Sequence, residues 1–413
     1  MRKLWLGALF VTALTAGLYA QGNAQATSAP TPAAAPSPTA TPTPPWSFSG
    51  FADLTYTTPI ESGGTFVFTN GNPNRVFDGN TNNGNAGSSM TRFVPNAINF
   101  NIRKNTSQGF GGQLEVTLGS DANVINSYGY SPGTYTDLTQ LFLYYTTGPV
   151  TLDFGKFETL AGYEVIESPS DNNISRSILF GFAVPFTHTG LRLVYAPTSA
   201  FSVTAGVNRG WDQLAGTGTG LSTWEGAVNW NPSKIFALGL DGYSGKEPSA
   251  LTPYPPNAFT IYGNRTLVDF VGHWNPSSAW NFGVNYDTAQ QTNDQSFTST
   301  GAVVAPGGIP TLGTAKWYGA AGYAIWNANA NLSLAGRVES FNDSSGVRTG
   351  FAQTWDEGTL TVQYVPTGTN WKLRAEFRND WSNQPVFARY TSPVGTAATN
   401  NTSVGAEVIY TFP

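Results

Sequence analysis

From Trp46 to the last residue, apolar and polar side chains alternate in short segments, which is the period of a β-strand with two different faces. The clearest segment is 371–381, in which Trp371, Leu373 and Phe377 lie on one face. The other face carries only charged residues: Lys372, Arg374, Glu376, Arg378 and Asp380. A strand of a soluble sandwich seldom places so many charges beside an aromatic face, so the pattern favours a wall between lipid and water.

The same alternation recurs in pairs of segments joined by short turns rich in Asn, Pro, Gly and Ser, which favour hairpins. Seven pairs flank the turns at 105–109, 147–149, 197–199, 231–234, 275–278, 327–330 and 366–370. With strands at 46–57 and 401–412, they predict 16 strands (7 × 2 + 2). The facing of the strand at 315–326 stays open, because Trp317 and Tyr323 oppose Tyr318 and Trp326.

Longer segments separate the hairpins: 58–92, 120–137, 158–188, 211–222, 245–264, 289–314, 342–354 and 382–400. Short turns on one side and long loops on the other are typical of an outer-membrane barrel, and 16 strands leave room for an aqueous channel. We therefore predict an all-β fold, a transmembrane antiparallel β-barrel of about 16 strands with short periplasmic turns and long outer loops. An even strand number places both termini on the periplasmic side.

The third long loop, 158–188, differs from an ordinary surface loop, which is normally polar. Its first half is acidic, and its second half is mostly apolar, with Ile178, Leu179, Phe180, Phe182, Val184 and Phe186. We expect it to fold inward, with the apolar part packed against the inner wall and the acidic part edging a narrowed pore.

Composition agrees with a membrane barrel. Charged residues make up 11% of the chain and aromatic residues 14%, whereas soluble domains carry about 25% charged residues. No interior run is apolar enough for a transmembrane helix. A secreted β-rich binding domain is the alternative. Cysteine is absent, which excludes disulfides, and the net charge of −5 without a basic patch argues against a nucleic-acid partner.

The chain divides into three parts. Residues 1–26 predict a secretory signal peptide, with Arg2 and Lys3 before an apolar run and a small-residue cleavage pattern at 24–26. Residues 27–45 contain seven prolines and predict an extended, largely disordered linker. Residues 46–413 form the barrel. Its last strand ends on Phe412, which resembles the signal read by the barrel-assembly machinery, although Pro413 follows. The predicted location is the outer membrane, with its lipid as a partner.

Several segments resemble the outer-membrane β-barrel porins of the OmpL-like type. They are 138–145, 152–157, 162–168, 173–177, 180–186 and 188–190, and the likeness is dense across 138–210 and looser over the rest of 46–413. The resemblance implies a Gram-negative outer-membrane protein that acts as a porin.

No catalytic or metal-binding set is predicted. His188 and His273 are the only histidines, and no metal-ligand spacing surrounds them. Residues 129–133 match G-x-S-x-G but lack the strand–turn–helix context of a nucleophile elbow. We therefore expect no enzyme activity and no cofactor.

Charged residues are the remaining candidates for function, because pores select solutes by charges that face each other across a constriction. The candidate constriction residues are Glu158, Glu164, Glu167, Asp171 and Arg176. The candidate lumen-wall cations are Arg103, Arg192, Lys372, Arg374 and Arg378, which would set up a transverse field. Solvation of the lumen or of the outer surface would explain the same charges.

The predicted function is passive diffusion of small hydrophilic solutes and ions through a water-filled channel, with weak cation preference. A substrate-specific channel for a sugar or another nutrient is the alternative. A homotrimer is compatible with 16 strands, but no single patch marks an interface.

Overall fold

A computed structural model describes residues 46–60, 65–66, 77, 92–127, 135–214, 220–249, 262–295, 312–389 and 396–413. Sixteen strands form one closed antiparallel barrel, in which the first strand pairs with the last. The predicted fold class and strand number are confirmed. The predicted signal peptide (1–26), the linker (27–45) and the G-x-S-x-G match at 129–133 lie outside the described residues.

The barrel strands alternate in direction from one end of the chain to the other. The first eight are β1 (Trp46–Pro59), β3 (Arg92–Lys104), β4 (Gly109–Leu118), β5 (Thr136–Thr147), β6 (Val150–Glu158), β7 (Thr187–Thr198), β8 (Phe201–Asn208) and β9 (Thr223–Trp230). The others are β10 (Phe236–Pro248), β11 (Tyr262–Trp274), β12 (Trp280–Gln295), β13 (Leu312–Asn327), β14 (Leu332–Asp343), β15 (Gln353–Tyr364), β16 (Trp371–Ser382) and β19 (Asn400–Phe412). Strands β12 and β13 extend into the predicted loop 289–314, so fewer residues than predicted connect these two strands.

A few short elements lie outside the barrel wall. Strands β2 (Thr65–Phe66), β17 (Phe387–Arg389) and β18 (Thr396–Ala398) form a small separate sheet from the first and the eighth outer loops. The second outer loop holds helix α1 (Ala122–Ile125), and the third holds a 3₁₀ turn (Ser168–Ser170) and a π-helical turn (Leu179–Ala183). Within the described ranges, no helix has the length and apolar character needed to cross a membrane.

The two faces of the wall are the reverse of those in a soluble protein. On β16, Trp371 and Phe377 are 43% and 47% exposed, whereas Arg374 and Arg378 are buried. The apolar face therefore points outward to lipid, and the charged face points into the lumen, as the alternation predicted. Aromatic rings gather near the short turns, for example Trp280 against Trp326 and Trp371 against Tyr410, as in the interfacial girdle of such barrels.

The strand whose facing was left open follows the same rule. On β13, Trp317 and Tyr323 are buried and face inward, whereas Tyr318 and Trp326 are exposed on the outer face. Aromatic residues on both faces hid the alternation in the sequence. The inward pair is buried because the third loop fills the space above it, as described below.

Candidate functional site

The third outer loop lies inside the barrel. We call residues 159–186, which connect β6 to β7, the inner loop. Its two ends lie side by side, and the Thr159 N–H donates a hydrogen bond to the Phe186 carbonyl oxygen at 2.9 Å. Between these ends the loop crosses the lumen and contacts strands on the far wall, including β14 and β16. The predicted inward fold of this loop is confirmed.

The apolar half of the inner loop forms the main hydrophobic core of the molecule. Its six predicted packing residues are all buried: Ile178, Leu179, Phe180, Phe182, Val184 and Phe186. The Phe182 ring lies 5.6 Å from that of Trp355 on β15, and the Trp317 indole N–H donates to the Ala183 carbonyl oxygen at 3.1 Å. Phe77, from the first outer loop, covers this core with its ring 5.3 Å from that of Phe186.

Carboxylates on the barrel wall accept hydrogen bonds from the backbone of the inner loop. Glu376 on β16 accepts from both N–H groups of residues 174–175, at 2.6 and 3.0 Å. Glu339 on β14 accepts from both N–H groups of residues 178–179, at 2.5 and 3.1 Å. A buried N–H group needs a partner, and a charged acceptor gives a stronger bond than a neutral one. These two glutamates therefore fix the middle of the loop.

Cations of β16 bind the carbonyl groups of the same loop. Three of the five predicted wall cations take part: Lys372 Nζ donates to the Pro169 carbonyl oxygen (2.5 Å), Arg374 Nη1 to that of Ser168 (3.1 Å) and Arg378 Nη1 to that of Arg176 (2.8 Å). The sequence had placed these cations across water from the loop carboxylates. They instead hold the main chain of the loop, because it runs directly over β16.

Arg337 on β14 binds the inner loop and was not predicted from the sequence. Its guanidinium contacts Glu164 of the inner loop at 2.6 Å and Glu357 of β15 at 2.7 Å, and all three side chains are buried. It also donates to the Ser175 carbonyl oxygen at 2.7 Å. Its position on the opposite phase from Val338 was a signal in the sequence that it faces the lumen. Glu164, a predicted constriction residue, is thus paired rather than free.

An aromatic slot holds the first turn of the inner loop. Strand register places His273, Gly283 and Tyr323 side by side on β11, β12 and β13. The Tyr163 ring inserts above Gly283 and stacks between the two rings, 4.7 Å from His273 and 4.0 Å from Tyr323. Gly162 precedes it with φ at +103°, a conformation that glycine adopts at little cost.

Two other predicted constriction residues form an ion pair. Arg176 Nε lies 2.8 Å from an Asp171 carboxylate oxygen. Burial nevertheless raises the pKa of Asp171 to about 7, because desolvation outweighs the attraction of Arg176. Arg176 also bonds the Ile166 carbonyl oxygen at 2.8 Å, so it links two parts of the loop.

The remaining predicted carboxylates gather on the opposite wall. Glu158 at the end of β6 and Glu167 of the inner loop lie with Glu115 of β4, their oxygen atoms within 4.8 Å of one another. The Gln140 side-chain amide donates to both Glu115 and Glu158, at 2.7 and 2.8 Å. Burial and the Glu158 carboxylate raise the pKa of Glu167 well above its ordinary value. Three carboxylates this close could share a cation, and the raised pKa of Glu167 means that the group carries less than its full formal negative charge.

A second acidic group, Asp241, Asp269 and Asp287, was not found from the sequence. The three residues lie at one level on β10, β11 and β12, where strand register makes them neighbours. All are buried on the lumen side, and Asp269 accepts the Gly162 N–H at 3.2 Å. Each lies on a different strand, so only the pairing of strands brings them together.

The last two predicted wall cations pair mainly with side chains of the barrel wall. Arg192 on β7 pairs with Glu225 of β9 at 2.6 Å and lies over the Phe157 ring. Arg103 on β3 donates to Gln113 at 2.8 Å. Both face the lumen, the phase that the alternation predicted.

Comparisons with known proteins agree with this architecture. A family model described as "Putative beta-barrel porin-2, OmpL-like" matches residues 62–412. A search of curated protein sequences finds no match to the chain.

Solved structures of outer-membrane proteins share the fold. The chain is similar to the outer membrane channel DcaP of Acinetobacter baumannii, with a TM-score of 0.58, 13% identity and coverage of 89% of this chain and 97% of that chain. It is also similar to an anion-selective porin from Comamonas acidovorans, with a TM-score of 0.55, 10% identity and coverage of 89% of this chain and 99% of that chain. The trimer form of OmpT from Vibrio cholerae matches with a TM-score of 0.52, 12% identity and coverage of 89% of this chain and 99% of that chain. At these identities the likeness shows the fold alone.

Proposed function

The chain belongs to the OmpL-like family of β-barrel porins and is an outer-membrane channel, and we propose that small hydrophilic solutes diffuse through it passively past the inner loop. One observation carries the proposal. Residues 159–186 cross the lumen and bond to the far wall through both their N–H and carbonyl groups. A 16-stranded barrel would otherwise leave a wide aqueous channel. The bound loop therefore sets the width of the pore.

The proposed constriction charges are those predicted from the sequence, but they contribute unequally to the electric field in the pore. Glu164 and Asp171 are paired with arginines, so they contribute little net field. Among the described residues no ion pair joins Glu158 or Glu167 to a cation, so in this proposal these two and the neighbouring Glu115 supply the unpaired negative charge to the extent that they are ionised. We propose weak cation preference on this basis.

Removal of the loop tests the constriction. Because the loop ends lie side by side, residues 162–185 can be replaced by a short Gly/Ser linker without opening the wall. We expect a higher single-channel conductance in a planar lipid bilayer. Removal of residues 252–259 from the outer loop between β10 and β11 is the matched control. Equal conductance of the native chain and the variant that lacks 162–185 would refute the proposed constriction.

Charge neutralisation tests the selectivity. We expect Glu158→Gln together with Glu167→Gln to lower the cation preference, measured as the reversal potential in a salt gradient. Asp356→Asn removes one carboxylate from the outward face of β15 and should leave the reversal potential unchanged; each single variant, Glu158→Gln and Glu167→Gln, makes the same change of charge for comparison. A native channel that prefers anions would refute the proposed selectivity.

The rest of the chain suits export and membrane assembly. We propose that residues 1–26 are a signal peptide, that 27–45 are a spacer, and that the last strand, β19, is read by the barrel-assembly machinery. Solved structures with this fold include a trimer form, which supports a homotrimer as the proposed assembly. No catalytic step is part of the proposal.

A further inference from the structure

A cavity of about 260 Å³ lies between the inner loop and the ends of β11–β13 that lead to the short turns. Tyr163 and Asn172 line it from the loop, and His273, Asn275 and Asn281 line it from the hairpin β11–β12. Pockets for drug-sized ligands measure about 300–1,000 Å³, so this cavity fits a smaller molecule. It lies on the periplasmic side of the constriction, where a solute enters or leaves the narrow part of the pore.

Three amide side chains face this cavity without a protein partner. Asn172, Asn275 and Asn281 are half-buried, and within the described ranges no side chain or backbone group forms a hydrogen bond with their side-chain amide groups. Polar side chains that are only partly buried bond to water where no protein group is in reach. Each amide offers two N–H donors and one carbonyl acceptor, so together they can exchange hydrogen bonds with water or with a solute rich in hydroxyl groups.

The charge of the lining disfavours an ion. Asp171 is the only carboxylate among the residues that line the cavity, and any negative charge on it is paired with Arg176 at 2.8 Å. An ion that entered would lose hydration without gaining an unpaired counter-charge, which is costly. The Tyr163 ring and the Ile325 side chain add apolar contact. Tyr163 is already fixed between His273 and Tyr323, so little order is lost when a solute binds against it.

We propose that this cavity is a subsite for a small, uncharged, polyhydroxylated solute of about the size of a monosaccharide. This inference rests on the proposed channel function and names a substrate class for it. Hydroxyl groups of the solute replace ordered water on the three amides, and the solute is released again because no charge holds it. The channel thus favours neutral polyols over ions of the same size.

Solute block of the ion current tests the subsite on the full chain in planar bilayers. We expect glucose to reduce the current in a saturable manner, and glucuronate, the charged probe of similar size, to do so more weakly. Asn172→Ala with Asn281→Ala removes two sets of hydrogen bonds and should raise the half-saturating glucose concentration by roughly fivefold or more. Asn229→Ala, on the lumen face of β9 beside Trp230 but outside the cavity, should leave it unchanged.

The outcomes separate the subsite from the channel itself. No saturable block by glucose, stronger block by glucuronate, or the same half-saturation in the double variant and the native chain would overturn the subsite. Ion conductance without glucose is the separate readout of channel function, and its absence would overturn the proposed function instead. Heat-dependent gel mobility shows that each variant is folded, and the comparison of glucose with glucuronate needs only the native chain.

Discussion

A methyl group at Gly283 should release the inner loop from its aromatic slot. A Cβ atom at this position would lie 2.2 Å from Cε2 of Tyr163, well inside van der Waals contact. The clash is with a ring that His273 and Tyr323 hold on both faces, so the ring has no room to shift sideways. Gly283→Ala must therefore expel Tyr163 from between its two neighbours.

The magnitude follows from the two ring contacts that are lost. Aromatic pairs contribute about 0.5–1.5 kcal/mol each beyond the area that they bury, so two pairs contribute about 1–3 kcal/mol. A change of this size multiplies the population of molecules in which the first turn of the loop is detached by roughly 5–150-fold. Single-channel recording at constant voltage should show this as more frequent excursions between conductance levels, because the first turn of the loop then moves within the pore.

Two comparisons make the test specific. Gly336→Ala is the matched control, since a Cβ atom there meets nothing closer than 3.9 Å, and its recordings should equal those of the native chain. Tyr163→Ala should produce excursions of its own, and Gly283→Ala should add nothing in that background, because the clash is gone. Two results would refute the claim that the slot holds the first turn of the loop. Gly283→Ala could give the same recordings as the native chain, or the effects of Gly283→Ala and Tyr163→Ala could add in the double variant.

Three further predictions follow from the described contacts. Arg337→Gln leaves Glu357 buried without its closest cation and should destabilise the barrel by about 3–5 kcal/mol, seen as a lower temperature of the heat-dependent gel shift; an unchanged temperature would contradict this. The pKa of Asp171 is raised to about 7, so as pH rises its carboxylate ionises and offsets the positive charge of Arg176. Cation preference should therefore increase from about pH 5 to about pH 9, and a constant reversal potential would argue against a place for this pair at the pore. The effect of pH on stability has the opposite sign, because the folded state binds the Asp171 proton more tightly than the unfolded state does. The protonated Asp171 side chain therefore stabilises the folded state fully below about pH 4, and this stabilisation is lost as pH rises through 7. Trp317→Phe removes the hydrogen bond to the Ala183 carbonyl oxygen and should cost about 0.5–1.5 kcal/mol in the same gel assay, with the exposed Trp326→Phe as the control.

The alternation of side chains was enough to predict the barrel. Charged residues at every second position of 371–381 fixed the lumen face of β16, and the short turns fixed the strand count, both as found. The inward fold of the third loop was also predictable, because its apolar half could not remain in water. These signals are local, and each can be recognised within a few residues of sequence.

The contacts that position the loop could not be predicted in the same way. Arg337 and Glu164 are 173 residues apart, and the slot around Tyr163 depends on the register of three strands. The charges of β16 were correctly assigned to the lumen, but alternation gives no information on whether water or a loop covers them. The small sheet of β2, β17 and β18 was missed because its strands are too short to show a period.

The wall holds the inner loop largely by its main chain, through N–H groups that donate to Glu339 and Glu376 and carbonyl groups that accept from β16. Every residue except proline offers the same N–H group, and every residue offers the same carbonyl group. Loop side chains that border the water can therefore change in evolution, or by design, while these main-chain bonds keep the loop in its place. One scaffold can thus be adapted to solutes of different charge or size by substitutions at a few loop positions, without a new barrel.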